Sequence, residues 1–323
     1  MTDNTLLRGD RLPTAQRVLV TGADGFLGRS VIEALAQRPD TLVVALDVRE
    51  VPVERRAPGV NYQMQDVRDP AIGDTLKRHA IDTVVHLASI VTPGKDSRRD
   101  FEYDVDVNGT RNVLQACVAQ GVRHVLVSSS GAAYGYHADN PPWLVESDPL
   151  RGNPAFAYSD HKRLVEEMLA QYRRDQPQLA QTVLRIGTIL GEQVDNQITA
   201  LFDKDKDVTG ALLHALDGAT PGCYNLAGDG ALTIREIAAR LGKRTLNLPA
   251  GLLMTALWIG SRLGISRYGP EQLDFLRYRP VLLNTALKEQ LGYVPRKTSA
   301  QAFDAFVAAR AAQGRPVAAV ARG

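Results

Sequence analysis

Tyr158 and Lys162 are the two residues whose types and spacing most directly indicate chemistry. They stand four positions apart at the start of an amphipathic segment, so on a helix both side chains share one face. A phenol is a poor base at neutral pH, but an ammonium group beside it stabilises the phenolate. The tyrosine can then exchange a proton with an alcohol or carbonyl oxygen. A serine hydroxyl from Ser128-Ser129-Ser130, which ends an apolar run, could hydrogen-bond the same oxygen.

The glycine-rich stretch near the start of the chain predicts the site that this pair would serve. An aliphatic run, Val18 to Val20, leads through a threonine into three glycines spaced three apart, and the amphipathic segment Arg29 to Gln37 follows. This is the pattern of a strand, a tight turn and a helix whose unpaired N–H groups and positive dipole end face an anion, here a diphosphate. The cofactor is predicted to contact the residues of this turn: Gly22, Gly25, Phe26, Leu27 and Gly28.

Asp47 is the acidic residue expected at the end of the second strand. It follows the apolar run Thr41 to Leu46, at the spacing from the glycine turn that suits a carboxylate accepting both hydroxyls of an adenosine ribose. The alternative is a solvated loop carboxylate. Arg49, two residues further on, could instead meet a 2′-phosphate. The spacing therefore favours NAD over NADP.

Strand and helix patterns alternate from Arg17 to Val127, which predicts an α/β fold with a doubly wound parallel sheet of the Rossmann type. Ligands of such sheets bind at the carboxyl ends of the strands, where most of the residues singled out here fall. His86 lies within a buried strand among apolar neighbours, so we interpret it as a core histidine with satisfied hydrogen bonds and not as a catalytic group.

Composition excludes several classes of protein. The 323 residues carry a formal charge of +2, which gives no field for nucleic acid or an anionic membrane. The two cysteines stand far apart in apolar contexts, as in a reducing compartment, and no metal site is predicted. The apolar stretch 250–260 is interrupted by Arg262 too early for a membrane span, which needs about 20 residues. The expectation is a cytoplasmic protein.

With these elements in place, the sequence resembles the extended short-chain dehydrogenase/reductase family, in its NAD-dependent epimerase/dehydratase group. The resemblance covers about residues 17–306 and rests on short motifs distributed along the chain. These motifs are Thr21–Gly28, Asp66–Asp69, His86–Ala88, Asn108–Thr110, Ser128–Gly135, Tyr158–Lys162, Tyr224–Gly228 and Leu232–Glu236.

The resemblance implies roles for particular residues. Tyr158 would be the acid/base, with Lys162 assisting it and binding the nicotinamide ribose. The family's catalytic hydroxyl precedes a Tyr-Gly pair by four residues, which selects Ser130, and Asn108 matches a helix asparagine that supports a water-linked proton path. Asn108 has the alternative of only capping or kinking its helix. Further cofactor contacts are predicted at Asp66, Val67, Leu87, Ala88 and Ser128, and substrate contacts at Ser89, Ser130, Tyr134 and Thr188.

The substrate region departs from the family's nucleotide-sugar enzymes in two ways. Thr188 stands where they commonly carry an asparagine, and the following segment, from Gly191 to Asp207, is short. Gly131, Ala132 and Ala133 replace the acidic pair of sugar 4,6-dehydratases, so dehydration is disfavoured. The apolar stretch Leu252 to Ile259 is interpreted as a packed cap helix, with a hydrophobic pocket wall as the alternative.

The leading hypothesis is thus an NAD-dependent oxidoreductase acting on a secondary alcohol or ketone. A UDP-sugar 4-epimerase and a non-catalytic NAD-binding regulator are the alternatives. Relatives dimerise through two helices per subunit, which predicts a homodimer through the helices beginning near Asp106 and Tyr158. Residues 1–16 are predicted as a polar tail, 17–190 with 207–228 as the dinucleotide-binding domain, 191–206 with 229–314 as the substrate cap, and 315–323 as a flexible tail.

Overall fold

The computed structural model describes residues 16–91, 98–187, 205–218, 220–245, 249–262, 274 and 277–312. The strands are β1 (Gln16–Thr21), β2 (Thr41–Asp47), β3 (Asn61–Met64), β4 (Thr83–His86), β5 (His124–Ser130), β6 (Ala180–Ile186) and β7 (Gly222–Leu226). The helices are α1 (Phe26–Ala36), α2 (Ile72–Arg78), α3 (Arg99–Tyr103), α4 (Gly109–Ala119), α5 (Ala157–Asp175), α6 (Asp205–Leu216), α7 (Ile234–Arg240), α8 (Ala250–Arg262), α9 (Thr285–Glu289) and α10 (Ser299–Ala312).

The strands form one sheet in the order β3-β2-β1-β4-β5-β6-β7, and every pair is parallel. The order reverses between β1 and β4, and this point of a doubly wound sheet opens a crevice for a ligand at the carboxyl ends of the strands. The predicted fold class is confirmed.

Side-chain alternation along the strands creates a separate apolar core on each face of the sheet. In β1, Val18 and Val20 pack on one face against α1 and α6, whereas Leu19 faces the other core, which contains α2 and α4. Both faces of these strands are covered by helices, which explains why the strands are continuous apolar runs and not alternating ones. The sheet is therefore a rigid support for the residues at its carboxyl edge.

The structure describes one part of the predicted substrate region, helix α8, and not the segment that includes Thr188. The stretch at 250–260 forms helix α8, as expected, but it is not packed as predicted, since Leu252 is 60% exposed and Trp258 52%. Met254 and Ile259 on the same helix are exposed as well. Thr188 and residues 191–204 fall outside the described residues. Within the described ranges, no helix has both the length and the apolar character needed to cross a bilayer.

His86 is buried in β4, as interpreted from the sequence, with Nδ1 2.8 Å from Thr21 Oγ1 and Nε2 3.0 Å from Thr110 Oγ1. Burial, with a smaller contribution from the nearby Lys162 charge, lowers the pKa of His86 from 6.5 to about 4. Between these pH values the unfolded chain binds a proton at this residue that the folded chain does not bind, so stability falls as the pH falls through them.

We expect the free energy of unfolding to fall by about 2 kcal/mol more in the parent protein than in His86→Asn between pH 7 and pH 5. Urea unfolding at both pH values measures the difference, and each protein serves as its own reference at pH 7. A parallel loss of stability in the two proteins would contradict the assignment.

Candidate active site

The glycine turn joins β1 to α1 and packs directly against the end of β4. Gly22 has a φ of +70°, and a β-carbon placed on it would lie 2.8 Å from the backbone nitrogen of Ala88. A β-carbon on Gly28 would lie 2.1 Å from the carbonyl oxygen of Gly22. Because both positions admit no side chain, the turn stays tight and the N-terminus of α1 stays open for an anion.

Asp47 lies where the sequence predicts it, at the end of β2 beside the turn. Its Oδ2 accepts a hydrogen bond from the backbone N–H of Asp24 at 2.9 Å, and its Oδ1 accepts from that of Arg49 at 3.1 Å. A carboxylate offers about four acceptor positions, so two remain for ribose hydroxyls. The carboxylate is only 7% exposed and is held in one orientation by the turn that it serves.

A second carboxylate, Asp24, lies within the turn itself and was not singled out from the sequence. Its Oδ1 lies 2.9 Å from Arg55 Nη1, and Arg29 and Arg49 each approach it to 3.9 Å. These guanidinium groups offset a negative charge that would otherwise oppose a diphosphate at the same turn. Arg55 makes the short contact with Asp24, whereas Arg49 stays 72% exposed.

The other predicted cofactor residues line the neighbouring strand ends. Asp66 binds Arg68, whose hydrogen bonds lower the pKa of the Asp66 carboxyl. Val67 is buried against α4, where a β-carbon on Gly109 would touch it at 2.7 Å. The backbone N–H groups of Leu87 and Ala88 point to Thr21 Oγ1, at 3.2 and 3.3 Å. The tight glycine turn, the Asp47 carboxylate and these strand ends together fit a dinucleotide.

Tyr158 and Lys162 lie on one face of α5, as their spacing predicts. Lys162 Nζ donates to the carbonyl oxygen of Ser128 at 3.1 Å and lies 5.6 Å from the centroid of the Tyr158 ring. The lysine is 7% exposed, so its ammonium charge acts through little intervening water. The structure thus joins the end of β5 to the tyrosine helix through this lysine.

The three serines at the end of β5 alternate between two environments. Ser129 donates to the buried Glu166 at 2.5 Å, one helical turn after Lys162 on α5. Ser128 and Ser130 share the opposite face because strand side chains alternate. Ser130 Oγ accepts from the backbone N–H of Ala132 at 3.2 Å and so caps the turn Gly131–Tyr134 that leads toward the tyrosine.

Aromatic side chains pack around Tyr158. Tyr136, Phe156 and Tyr278 pack with it and with Ala132 in one apolar cluster. The ring centroids of Phe156 and Tyr158 lie 6.4 Å apart, and those of Tyr136 and Phe156 lie 5.8 Å apart. This wall is suited to a ring or another flat apolar surface of a substrate.

Tyr134 is a correction to the sequence analysis, which placed it among substrate-binding residues. Its ring is fully buried. The hydroxyl accepts from Arg185 at 2.7 Å and lies 2.9 Å from both Asn225 Oδ1 and the Val145 carbonyl oxygen. Arg185 in turn pairs with the buried Glu166 at 2.8 Å. Tyr134 therefore joins a buried polar network between β5, β6 and β7 and has no surface to offer a substrate.

Asn108, predicted to support a proton path, forms side-chain hydrogen bonds with Asp104 and Arg111. Its amide donates to Asp104 at 3.0 Å, and its oxygen accepts from Arg111 at 2.5 Å, both on the outer side of the chain. The alternative interpretation, a helix irregularity, fits better, because Asp104–Asn108 form a π-helical turn before α4. Asp106, two residues earlier, lines a cavity together with Lys162.

Asp106 lines a small cavity together with Ser89, Ser128 and Lys162, a set that the sequence analysis brought together only in part. Ser89, a predicted substrate contact, is half-buried, and its buried hydroxyl has no hydrogen-bond partner among the described residues. Regular helical periodicity did not predict the position of Asp106. A π-helical turn adds a residue to the helical repeat and so rotates every later side chain. The sequence feature that could have indicated this site was the acidic residue at position 106, two residues before Asn108.

Several known proteins resemble this chain in sequence. The profile of the NAD dependent epimerase/dehydratase family matches residues 18–218. An uncharacterized protein of Mycobacterium tuberculosis is 27% identical over 315 residues, which cover 91% of this chain and 84% of that protein. The L-arabinose 1-dehydrogenase (NAD(P)(+)) of Haloferax volcanii is 31% identical over 204 residues, covering 59% and 73%. The UDP-glucose 4-epimerase of Erwinia amylovora is 29% identical over 194 residues, covering 56% of each chain.

Solved structures share the fold. The UDP-glucose 4-epimerase of Thermus thermophilus, in complex with NAD, superposes with a TM-score of 0.69 at 24% identity and covers 91% of this chain and 98% of its own. The UDP-glucose 4-epimerase of Thermotoga maritima, with UDP-glucose, has the same TM-score at 18% identity, with coverage of 93% and 100%.

Proposed function

This chain belongs to the NAD dependent epimerase/dehydratase family, and we propose that it transfers hydride between NAD and a secondary alcohol or ketone, with Tyr158 as acid/base. It is an NAD-dependent enzyme of the oxidoreductase or epimerase type. The observation that carries the proposal is the position of Lys162, held between the Ser128 carbonyl oxygen and the Tyr158 ring.

Bound NAD would supply the redox step by taking up or returning a hydride at its nicotinamide ring. The chain's own residues hold the cofactor and handle the proton. Gly22 and Gly28 would keep the turn tight enough to bind the diphosphate, and Asp47 would accept hydrogen bonds from the ribose hydroxyls. Tyr158 Oη receives the proton of the substrate alcohol while the ammonium group of Lys162 stabilises the phenolate, and Ser130 Oγ donates to the same substrate oxygen.

The buried Lys162 and the aromatic wall around Tyr158 favour turnover over a purely regulatory NAD-binding role, because a binding protein needs neither. A UDP-sugar 4-epimerase remains the second candidate, supported by the relatives of that activity. It would use the same tyrosine but return the hydride to the opposite face of a keto intermediate.

One experiment separates these functions. The purified protein is incubated with NAD and, in turn, with secondary alcohols, L-arabinose, sterols and UDP-glucose, while NADH absorbance and the products are followed. NADH accumulation with an alcohol supports the proposal. Interconversion of UDP-sugars without net NADH would replace it with the epimerase, and NAD binding without product from any compound would favour the regulator.

We further propose that the chain forms a homodimer through α4 and α5. A groove of about 710 Å³ runs between these helices and is lined in part by Val107, Val118, Leu164, Met168 and Tyr172. Apolar side chains along two adjacent helices are suited to the matching pair of a second copy in a four-helix arrangement.

Leu164→Arg is expected to convert the dimer to a monomer, because a charge would be buried at the centre of the helix pair. Sedimentation velocity measures the mass in solution. Ile234→Arg, at a residue 67% exposed in α7, is the control and should leave the mass unchanged. A parent protein that sediments as a monomer would refute the proposal.

The division into domains is also a proposal. It assigns residues 17–190 with 207–228 to the dinucleotide-binding domain and 191–206 with 229–314 to the substrate cap. The hydrogen bonding of β7 to β6 supports including the segment 222–226 in the first domain.

A further inference from the structure

Two buried polar side chains stand behind Lys162 with hydrogen-bonding atoms that no described residue satisfies. Asp106 is 3% exposed and His161 1%. Asp106 Oδ1 accepts from the backbone N–H of Ile90 at 2.8 Å, but its Oδ2 and both ring nitrogens of His161 have no hydrogen-bond partner among the described residues. Buried polar atoms are normally paired, so this cluster requires a functional explanation.

The two side chains meet each other. His161 Nδ1 lies 3.5 Å from Asp106 Oδ2, just beyond ordinary hydrogen-bond length. The ring of Tyr103 packs edge-on against the imidazole, with centroids 5.6 Å apart, and holds it in this place. A carboxylate only accepts hydrogen bonds, so the favourable tautomer of a neutral His161 carries its proton on Nδ1 and directs it at Asp106. The opposite tautomer would set two lone pairs against each other.

Asp106 also faces the candidate catalytic lysine. Asp106, Lys162, Ser89 and Ser128 line one cavity of about 10 Å³, which is close to the volume that one water molecule needs. Asp106, Lys162 and His86 are all buried, so little water screens the charges across this cavity. Among the described residues, His86 on β4 is the other titratable group that lines this cavity, and His161 on α5 contacts Asp106 from outside it.

We propose that Asp106 and His161 form a buried pair that positions Lys162. His161 Nδ1–H and the Ile90 N–H orient the Asp106 carboxylate, and its negative charge holds the lysine ammonium toward Tyr158. Both are positioning residues that act through Lys162. The proposal rests on the proposed role of that lysine in catalysis, but the pair itself is a property of the protein without cofactor.

The first test needs no turnover. Long-range ¹H–¹⁵N spectra of histidine-labelled protein, without NAD, report the tautomer of each imidazole, and His161→Asn identifies the signal of His161. We expect a neutral Nδ1–H tautomer at pH 7.5 whose signal changes in Asp106→Asn. An Nε2–H tautomer, or a signal that Asp106→Asn leaves unchanged, would overturn the pair even if the enzyme proved active.

The second test asks whether the pair acts on Lys162. Asp106→Asn keeps the acceptor for Ile90 but removes the charge, and kcat should fall about 10- to 100-fold while KM and the NAD dissociation constant stay within about twofold. His161→Asn keeps a donor near the place of Nδ1 and should retain most of kcat, whereas His161→Phe should lose as much as Asp106→Asn. The double variant Asp106→Asn/His161→Phe should be no worse than either single variant.

Wild-type kcat in Asp106→Asn, or equal losses in His161→Asn and His161→Phe, would refute the positioning role. Urea unfolding of each variant shows whether a loss of kcat is caused by a loss of stability. If Tyr158→Phe retained turnover, the proposed function would fail while the tautomer measurement still decided the pair, so the two failures are distinguishable.

Discussion

Replacing Tyr158 with phenylalanine is expected to lower kcat by about 10²- to 10⁴-fold, the range that a positioned acid/base contributes. The ring remains and keeps its packing against Phe156, so the fold should be undisturbed. Only the hydroxyl that exchanges the substrate proton is lost. Turnover is measured with the substrate found by the NADH and product screen, and NAD binding by isothermal titration calorimetry, where the dissociation constant should change less than about threefold.

Tyr136→Phe is the matched control, because Tyr136 belongs to the same aromatic cluster and is more enclosed than Tyr158. Burial raises the pKa of Tyr136, so this phenol is poorly suited to exchange protons at neutral pH. Its variant should keep kcat within about fivefold. If Tyr158→Phe kept a tenth or more of the parent activity, or if Tyr136→Phe lost as much, the acid/base role would belong elsewhere.

Replacing Gly22 with alanine is expected to destabilise the protein by about 3 kcal/mol and to weaken NAD binding at least about tenfold. Two effects add. The backbone has a φ of +70°, which an L-residue adopts at a cost of about 1 kcal/mol, and the new β-carbon would lie 2.8 Å from the Ala88 nitrogen. Since Ala88 belongs to the neighbouring strand end, the backbone itself must move and the diphosphate turn opens.

Gly121→Ala separates the two effects. Gly121 has nearly the same φ, +68°, but a β-carbon on it would meet nothing within 4 Å. Its variant should lose only about 1 kcal/mol and bind NAD normally. Urea unfolding and calorimetry on both variants check the difference. Equal losses of stability would mean that backbone conformation alone explains Gly22, and unchanged NAD affinity in Gly22→Ala would remove the turn from the cofactor site.

Local sequence patterns were sufficient to predict the sheet and to place Tyr158 and Lys162 together on α5. Buried strands between helices have one stable arrangement, a parallel sheet covered on both faces, so the alternation from Arg17 onward predicted the order of layers. Helical periodicity placed Tyr158 and Lys162 on one face. The closeness of Gly22 to Ala88, by contrast, depends on how two distant strands pack, which no local pattern describes.

Roles assigned from motifs failed where the backbone departs from a regular repeat or where distant elements meet. The π-helical turn at Asp104–Asn108 shifts the phase of the helix, so Asp106 and not Asn108 turns toward Lys162. Tyr134 is buried in the core because Arg185 and Asn225, from two other strands, offer its hydroxyl a buried network. These outcomes are set by contacts between elements far apart in the chain.

By itself, therefore, the sequence determined the fold class, the dinucleotide turn and the Tyr158–Lys162 pair, because strand pattern, glycine spacing and helical periodicity are properties of short segments. Only the tertiary structure decided which polar groups meet behind that pair. Asp106 and His161 are 55 positions apart by their numbers, and their pairing arises because α5 packs against the π-helical turn and excludes water from both. Desolvation strengthens the interaction between these groups, because a buried charge acts on its neighbours far more strongly than an exposed one.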